Sequence, residues 1–297
     1  MIARFLLASM ALSFAVSMAG AADTPSARAN LSAEDIANRN IAARGGLKAW
    51  RAVQTMSMEG KLGAGGNQRA ALPTPVPGKQ SARLAVSPRP AEEVQLPFVM
   101  RMERPRKVRF ELEFSGQTAV QVYDGVSGWK IRPYLNRRDI EPFTADELKA
   151  ASMQPDLDGP LVDYPAKGTR VELDGIEKVE DRDNYKLKLT MKDGKVIHLW
   201  IDAQTFLETK MEGQPRRLDG KMHPVEVYYR DYRLVSGLQI PFVLETRVLP
   251  VVDTASRARE TPVPAERIVV EKVVVNPRLD ASLFSRPQIQ AGSTQHQ

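Results

Sequence analysis

The chain has 297 residues, 42% of them hydrophobic, no cysteine and a formal net charge of +6. That is material for one large domain or two small ones, with far too little apolar continuity for a polytopic membrane protein. Without cysteine there is no disulfide framework, no thiolate catalysis, no Cys-ligated zinc and no lipid-modified cysteine to anchor a mature N-terminus.

Residues 1–21 combine a basic start at Arg4, an apolar core from Phe5 to Val16 and the small residues Ala19, Gly20 and Ala21. This is the pattern of a cleaved secretory signal peptide, and its apolar run falls short of the ~20 residues that span a bilayer. Cleavage would take Arg4 with it and leave a mature charge of +5. The remaining positive charge is spread out, because Lys and Arg alternate with Asp and Glu along the strands. Its densest group, Arg101, Arg104, Arg106, Lys107 and Arg109, reads as a solvated edge and not as a nucleic-acid site. An anionic lipid surface suits an exported protein better than nucleic acid does.

After the leader, Ser32 and Asp35 have the spacing of a capping box, with Leu31 placed to staple onto Ile36. They predict a helix that runs to about Arg44 and stops at Gly45-Gly46. A second short helix, Leu47 to Val53, carries Trp50 on its apolar side. Neither is long enough to be stable alone, so both need a sheet to lie on. Thr55 to Leu62 reads as a first strand. Gly and Pro then interrupt every regular pattern over residues 63–92. That insertion is either a mobile flap over a binding site or a disordered connection between strands, and the second reading is favoured. Strand character returns from Leu96 to Met102.

The stretch from Lys107 to Pro133 is the clearest in the chain. Val108, Phe110, Leu112 and Phe114 alternate with Arg109, Glu111 and Glu113, the period of a strand with one buried and one wet face. Ser115-Gly116 and Asp124-Gly125 supply tight reversals, so three strands form a meander ending in Trp129 and Ile131. A polar passage follows, and then Thr144 with Glu147 predicts a capped helix to about Met153. Asp156, Asp158 and Gly159 have part of a calcium-loop pattern; without the full spacing they read as a turn.

The second half is nearly all strand: Arg170 to Ile176, Tyr185 to Lys192, Lys195 to Ile201, Phe206 to Met211, Val225 to Leu234, Leu238 to Leu249 and Arg267 to Asn276. Asp193-Gly194 marks a hairpin. Residues 287–297 form a polar tail, expected to be disordered. About a dozen strands and two or three short helices result, and nothing marks a domain boundary between residues 22 and 286.

Catalytic signals are sparse. The three histidines, His198, His223 and His296, have no metal-ligand spacing, and His198 sits between Ile197 and Leu199 as an outward-facing or satisfied strand residue. Gly125-Val126-Ser127-Gly128 falls one residue short of a nucleophile elbow and lies in a hairpin turn. No phosphate loop and no dinucleotide fingerprint occur. The residues therefore favour a binding protein with no cofactor and no metal over an enzyme.

A dozen strands in one sheet must curl, and the few helices cannot cover a wide apolar face. Either the sheet splits into a sandwich, or it bends into an incomplete barrel whose partly plugged concave face binds apolar ligands. Phe110, Leu112, Trp129, Leu187, Leu189, Phe242 and Leu244 fall on the apolar parity of four strands and are expected to line one cavity.

Several short patterns together resemble the periplasmic outer-membrane lipoprotein-sorting proteins, relatives of the LolA-type lipoprotein carriers. They are Ala43-Arg44-Gly45-Gly46 with Trp50 and Val53, Tyr123-Asp124-Gly125 before Gly128-Trp129, and Gly159-Pro160-Leu161-Val162-Asp163-Tyr164 with Lys167-Gly168. Tyr232-Arg233 before Gly237-Leu238 and Pro241, and Leu283-Phe284 before Pro287, complete the set. The resemblance implies a mainly β, α+β fold of one domain at 22–286: a single curved antiparallel sheet forming an unclosed barrel, with short helices over its concave face. It further implies a soluble periplasmic carrier, monomeric, that binds acyl chains of lipids or lipoproteins without a cofactor and meets a membrane-protein complex or receptor. Two other readings remain. One is a periplasmic sensor or adaptor of the same fold that docks a protein partner through the 63–92 insertion. The other is an envelope hydrolase using Asp156, Asp158 and Asp163.

Overall fold

The computed structural model describes residues 31–64, 94–133, 137–152, 156–218, 220–251 and 263–288. The leader, all of the insertion beyond Ala64, and the tail beyond Gln288 lie outside the described residues.

Helix α1 (Ala33–Ala43) begins with the expected capping box, in which the Asp35 amide donates to Ser32 Oγ at 3.0 Å and the Ser32 amide to Asp35 Oδ2 at 3.1 Å. It ends where Gly45 takes φ +115°. A Cβ on Gly45 would stand 2.3 Å from the Gly237 carbonyl oxygen, so only glycine allows this close approach. Helix α2 (Leu47–Ala52) follows at once and buries Trp50.

The strands are β1 (Thr55–Ala64), β2 (Val94–Glu103), β3 (Lys107–Phe114), β4 (Gln117–Tyr123), β5 (Gly128–Arg132) and β6 (Arg137–Pro142). After helix α3 (Ala145–Ser152) come β7 (Arg170–Val179), β8 (Arg182–Thr190), β9 (Val196–Asp202), β10 (Glu208–Glu212), β11 (Arg216–Leu218) and β12 (Lys221–His223). Strands β13 (Val225–Val235), β14 (Leu238–Val248) and β15 (Glu266–Val275) complete the set, and a 3-10 helix (Ala281–Phe284) closes the described chain. Thirteen strands form one antiparallel sheet in the order β6-β5-β4-β3-β2-β1-β15-β14-β13-β10-β9-β8-β7, and β11 and β12 pair separately. The sheet is curved and unclosed. Its halves join through β1 and β15, where the register shifts between Glu59 and Gly60, a bulge that adds local twist.

The pairing register decides which face each side chain takes. Across the central strands Met56, Met102 and Val108 align, as do Met58, Met100 and Phe110, and Phe98 aligns with Leu112. On the other side Leu62, Ile268, Leu244 and Tyr229 align, and further on Leu189 pairs with Ile197 and Leu187 with Leu199. These residues share the inner face, and α1 and α2 pack onto its centre: Ile41, Trp50, Val53, Met56, Phe98, Leu238, Ile240, Phe242 and Val270 form one buried cluster.

Two sequence expectations are corrected. The polar passage after Pro133 contains an edge strand, β6, whose Arg-Arg-Asp-Ile-Glu-Pro composition carries no alternation to betray it. Trp129 does not share a face with Phe110 and Leu112. The turn at Ser115-Gly116 pairs Phe114 with Gln117, which sets Phe110 opposite Gln121 and Arg109 opposite Val122. Val122 in turn pairs with Trp129. Apolar parity therefore changes faces between β3 and β4, and Trp129, Val120 and Val122 point outward. The 3-10 helix packs on the outer side of β3: the Arg109 guanidinium donates to the Leu283 carbonyl at 3.2 Å, and Phe284 is buried with the Lys107 ammonium 5.9 Å from its ring centroid.

Candidate functional site

The two sheet edges, β6 and β7, are consecutive in the chain, and the described parts of the crossover that connects them, residues 143–152 and 156–169, include Leu157 and Val162, which pack on the inner-face cluster. Helix α3 opens this crossover with the expected box: the Thr144 amide donates to Glu147 Oε2 at 2.8 Å and the Glu147 amide to Thr144 Oγ1 at 3.2 Å. None of its residues is buried. Its ties to the sheet are polar instead. The Lys130 ammonium, itself buried, pairs with the Glu147 carboxylate, and the Arg106 guanidinium donates to the Ser152 carbonyl at 2.9 Å.

Beyond α3 the crossover is anchored by Leu161 and Val162, both fully buried, with Val162 in the central cluster, and by one carboxylate. Asp158 is 1% exposed and accepts from Arg104 Nη2 at 2.6 Å and from Lys167 Nζ at 2.6 Å. Arg104 also donates to the Val53 and Trp50 carbonyls at 2.8 and 3.3 Å, which ties the turn after β2, the end of α2 and the crossover together. Lys167 also donates to the Gly159 carbonyl at 2.8 Å. Its neighbours are paired as well: Asp156 with Arg106 at 3.1 Å and Asp163 with Arg51 at 2.5 Å. The basic group expected to be a solvated edge is thus an ion-pair network, since Arg101 and Arg109 both pair with Glu111 and Lys107 with Glu103.

A second buried pair lies next to it. Arg44, at the end of α1, donates to the Asp158 carbonyl at 2.8 Å, stacks its guanidinium 4.4 Å from the Trp50 ring centroid and stands 3.2 Å from Glu208 Oε1. The Tyr232 hydroxyl donates to Glu208 Oε2 at 3.0 Å. Burial pushes its proton well above the usual phenol range, so Tyr232 remains a donor at every working pH.

Between the crossover and the ends of β8, β9 and β10 lies an open cavity of about 670 Å³. Its apolar lining includes Ile197 and Met211 from the sheet, Met191 just past the end of β8, Pro160 from the crossover and Ala150 from α3. The Thr169 and Tyr229 hydroxyls contact the Met191 and Met211 sulfurs, each at 3.8 Å, which fixes the two thioethers. Arg106, Lys167, Lys192 and Lys195 ring it together with Asp156, Asp193 and Glu212.

The seven residues expected to line a cavity divide three ways. Leu187, Leu189 and Phe242 lie on the inner face but are buried. Phe110, Leu112 and Leu244 share that face half-buried, packed against the central cluster. Trp129 is on the outer face. None of the seven lines the 670 Å³ cavity, although Leu189 pairs directly with Ile197, which does. Met191, Ile197 and Met211 were within reach of the same parity argument, since each continues the inner-face alternation of β8, β9 and β10. The Asp158 hub had no such signal, because its partner Arg104 is far away in sequence.

Among the described residues no group of three or more His, Asp or Glu side chains is arranged to hold a metal. His198 faces outward as expected, with Nδ1 2.9 Å from Glu212 Oε1. No described helix is long and apolar enough to cross a membrane.

No protein-family profile matches the sequence, and comparison with curated proteins finds no match. Solved structures do match in fold. A LolA superfamily protein from Nitrosomonas europaea is similar with a TM-score of 0.50 at 11% identity, covering 86% of this chain and 98% of the other. A DUF1329 family protein from Desulfovibrio piger gives a TM-score of 0.50 at 10% identity, covering 85% and 97%. At such identities the likeness is one of fold.

Proposed function

We propose that this protein is a periplasmic carrier that holds acyl chains of lipids or lipoproteins against the inner face of its half-barrel, without a cofactor and without catalysis. The observation that carries the reading is the 670 Å³ cavity between the crossover and the sheet, of the size that small ligands occupy. Its apolar floor of Met191, Ile197 and Met211 suits a hydrocarbon chain. The shared fold of a LolA superfamily protein supports it. The leader at residues 1–21 supports export, with residues 22–286 as the mature domain. The hydrolase alternative loses its motive, because Asp156, Asp158 and Asp163 are each engaged by Arg or Lys. The segment that would dock an adaptor's partner lies outside the described residues.

The test is binding of a fluorescent fatty-acid probe. Wild type should bind, and Ile197→Glu or Met211→Glu should abolish binding, because a carboxylate set in the floor, whether or not a rim lysine reaches it, replaces hydrocarbon contact with a group that must be desolvated at a cost of several kcal/mol. Lys188→Gln, on the outer face and paired there with Glu172, should change affinity by less than about twofold. A wild type that binds no probe, or inward glutamates that leave binding intact, would refute the carrier reading.

A further inference from the structure

The charged rim of the cavity is unevenly satisfied. Its three carboxylates are committed: Asp156 to Arg106 and Lys167 at 3.1 and 3.9 Å, and Asp193 Oδ1 to the Lys195 amide at 3.0 Å. Glu212 accepts from the His198 amide at 2.9 Å and faces His198 Nδ1 at 2.9 Å. Two of the four cations are committed as well, Arg106 and Lys167. Lys192 and Lys195 form no ion pair among the described residues, yet both line the cavity. They flank the turn between β8 and β9, closed by the Met191 amide donating to the Lys195 carbonyl at 2.8 Å. The Lys192 stem runs past Gly168 at the end of the crossover, where a Cβ would meet its Cβ, Cγ and Cδ at 3.2 to 3.4 Å. Two ammonium-bearing side chains thus line the mouth beside Met191 and Ile197, and the neighbouring carboxylates Asp193 and Glu212, turned to the Lys195 amide and to His198, form no ion pair with either of them among the described residues.

We propose that the cavity takes a single-chain amphiphile with an anionic headgroup, its chain on Met191, Ile197 and Met211 and its headgroup between Lys192 and Lys195. This rests on the acyl-chain reading above and adds the class of ligand to it. An anion reached by the two lysines gains charge-assisted hydrogen bonds. A neutral headgroup on the same chain does not, so the rim discriminates by a difference in affinity.

Three lysolipids with the same fluorescent acyl chain test it: lysophosphatidylglycerol, lysophosphatidylcholine and a monoacylglycerol, titrated at low salt. Wild type should bind lysophosphatidylglycerol roughly tenfold more tightly than the monoacylglycerol, the size of effect expected of two such contacts at a rim. In Lys192→Gln/Lys195→Gln that preference should fall to within about twofold while monoacylglycerol binding stays unchanged. Lysophosphatidylcholine, with its phosphate neutralised internally, should track the monoacylglycerol. Glycerol 3-phosphate, which offers the phosphate without a chain, should not displace the bound lysolipid. If all three lysolipids bind equally to wild type, or if the double variant keeps its preference, the headgroup site is refuted and the carrier reading stands. If glycerol 3-phosphate displaces the lysolipid, the site serves a free phosphate and the proposal also fails. If none of the three binds, both readings fall together.

Discussion

Asp158→Asn is the perturbation that most directly tests how the crossover is held. The carboxylate is 1% exposed and is shared by Arg104 and Lys167, each at 2.6 Å. Removing one partner of a buried ion pair costs about 3–5 kcal/mol, because the charge left behind has lost its compensation. Here Arg104 keeps the Val53 and Trp50 carbonyls and Lys167 keeps that of Gly159, so the lower end, about 3 kcal/mol, is expected. Urea unfolding followed by circular dichroism should show a lower midpoint with an unchanged slope. The thermal midpoint should fall by roughly 6–12 °C. Asp156→Asn is the internal control: it lies two residues away, and its partner Arg106 has a side chain 48% exposed, so it should cost less than about 1 kcal/mol. If the two variants are equally stable, Asp158 is not an anchor of the crossover.

Glu180 gives a pH signature, since hydrogen bonding by Arg230 holds its carboxyl down from 4.5 to about 2, against the opposing effect of burial. A carboxyl depressed by folding stabilises above its unfolded value and loses that stability as pH falls toward the folded one; the gap between wild type and Glu180→Gln should therefore be constant above about pH 5 and close between 4.5 and 2. With the side chain 42% exposed, the gap should not exceed about 1 kcal/mol; a gap that widens on acidification would refute the assignment. Ser32→Ala removes the hydroxyl that caps α1 and should cost about 1 kcal/mol, read from the urea midpoint; a neutral result would mean that packing on the sheet alone fixes the start of the helix.

What the sequence made legible was whatever local chemistry decides. The two capping boxes, the glycines after α1 and the alternation in β3 and β8 each mark an element without reference to the rest of the chain. Face assignment is different in kind. Val120, Val122 and Trp129 alternate as cleanly as Phe110 and Leu112 do, but a two-residue turn sets them on the opposite side. The site was legible only in its floor, as the inner-face parity of Met191, Ile197 and Met211. Its roof was not, because Asp158 and Arg104 acquire meaning only when the crossover folds back onto the turn after β2.

The polar character of that roof bears on why a cavity is present at all. A half-barrel with an apolar inner face stabilises itself by filling that face, and over its centre it does so: α1 and α2 bring Ile41 and Trp50 down onto Met56, Phe98 and Phe242. Had α3 carried an apolar stripe it would settle onto Met191, Ile197 and Met211 in the same way, at the close packing of an interior. Instead it buries no residue and is tethered through Lys130–Glu147 and the Arg106 contact with Ser152. With none of its own side chains buried, α3 has no hydrophobic packing that would draw it down onto that floor. Helix α3 thus spans the mouth without settling onto it, while beyond it the crossover sends Val162 into the central cluster, and the apolar floor beneath α3 remains available to a ligand.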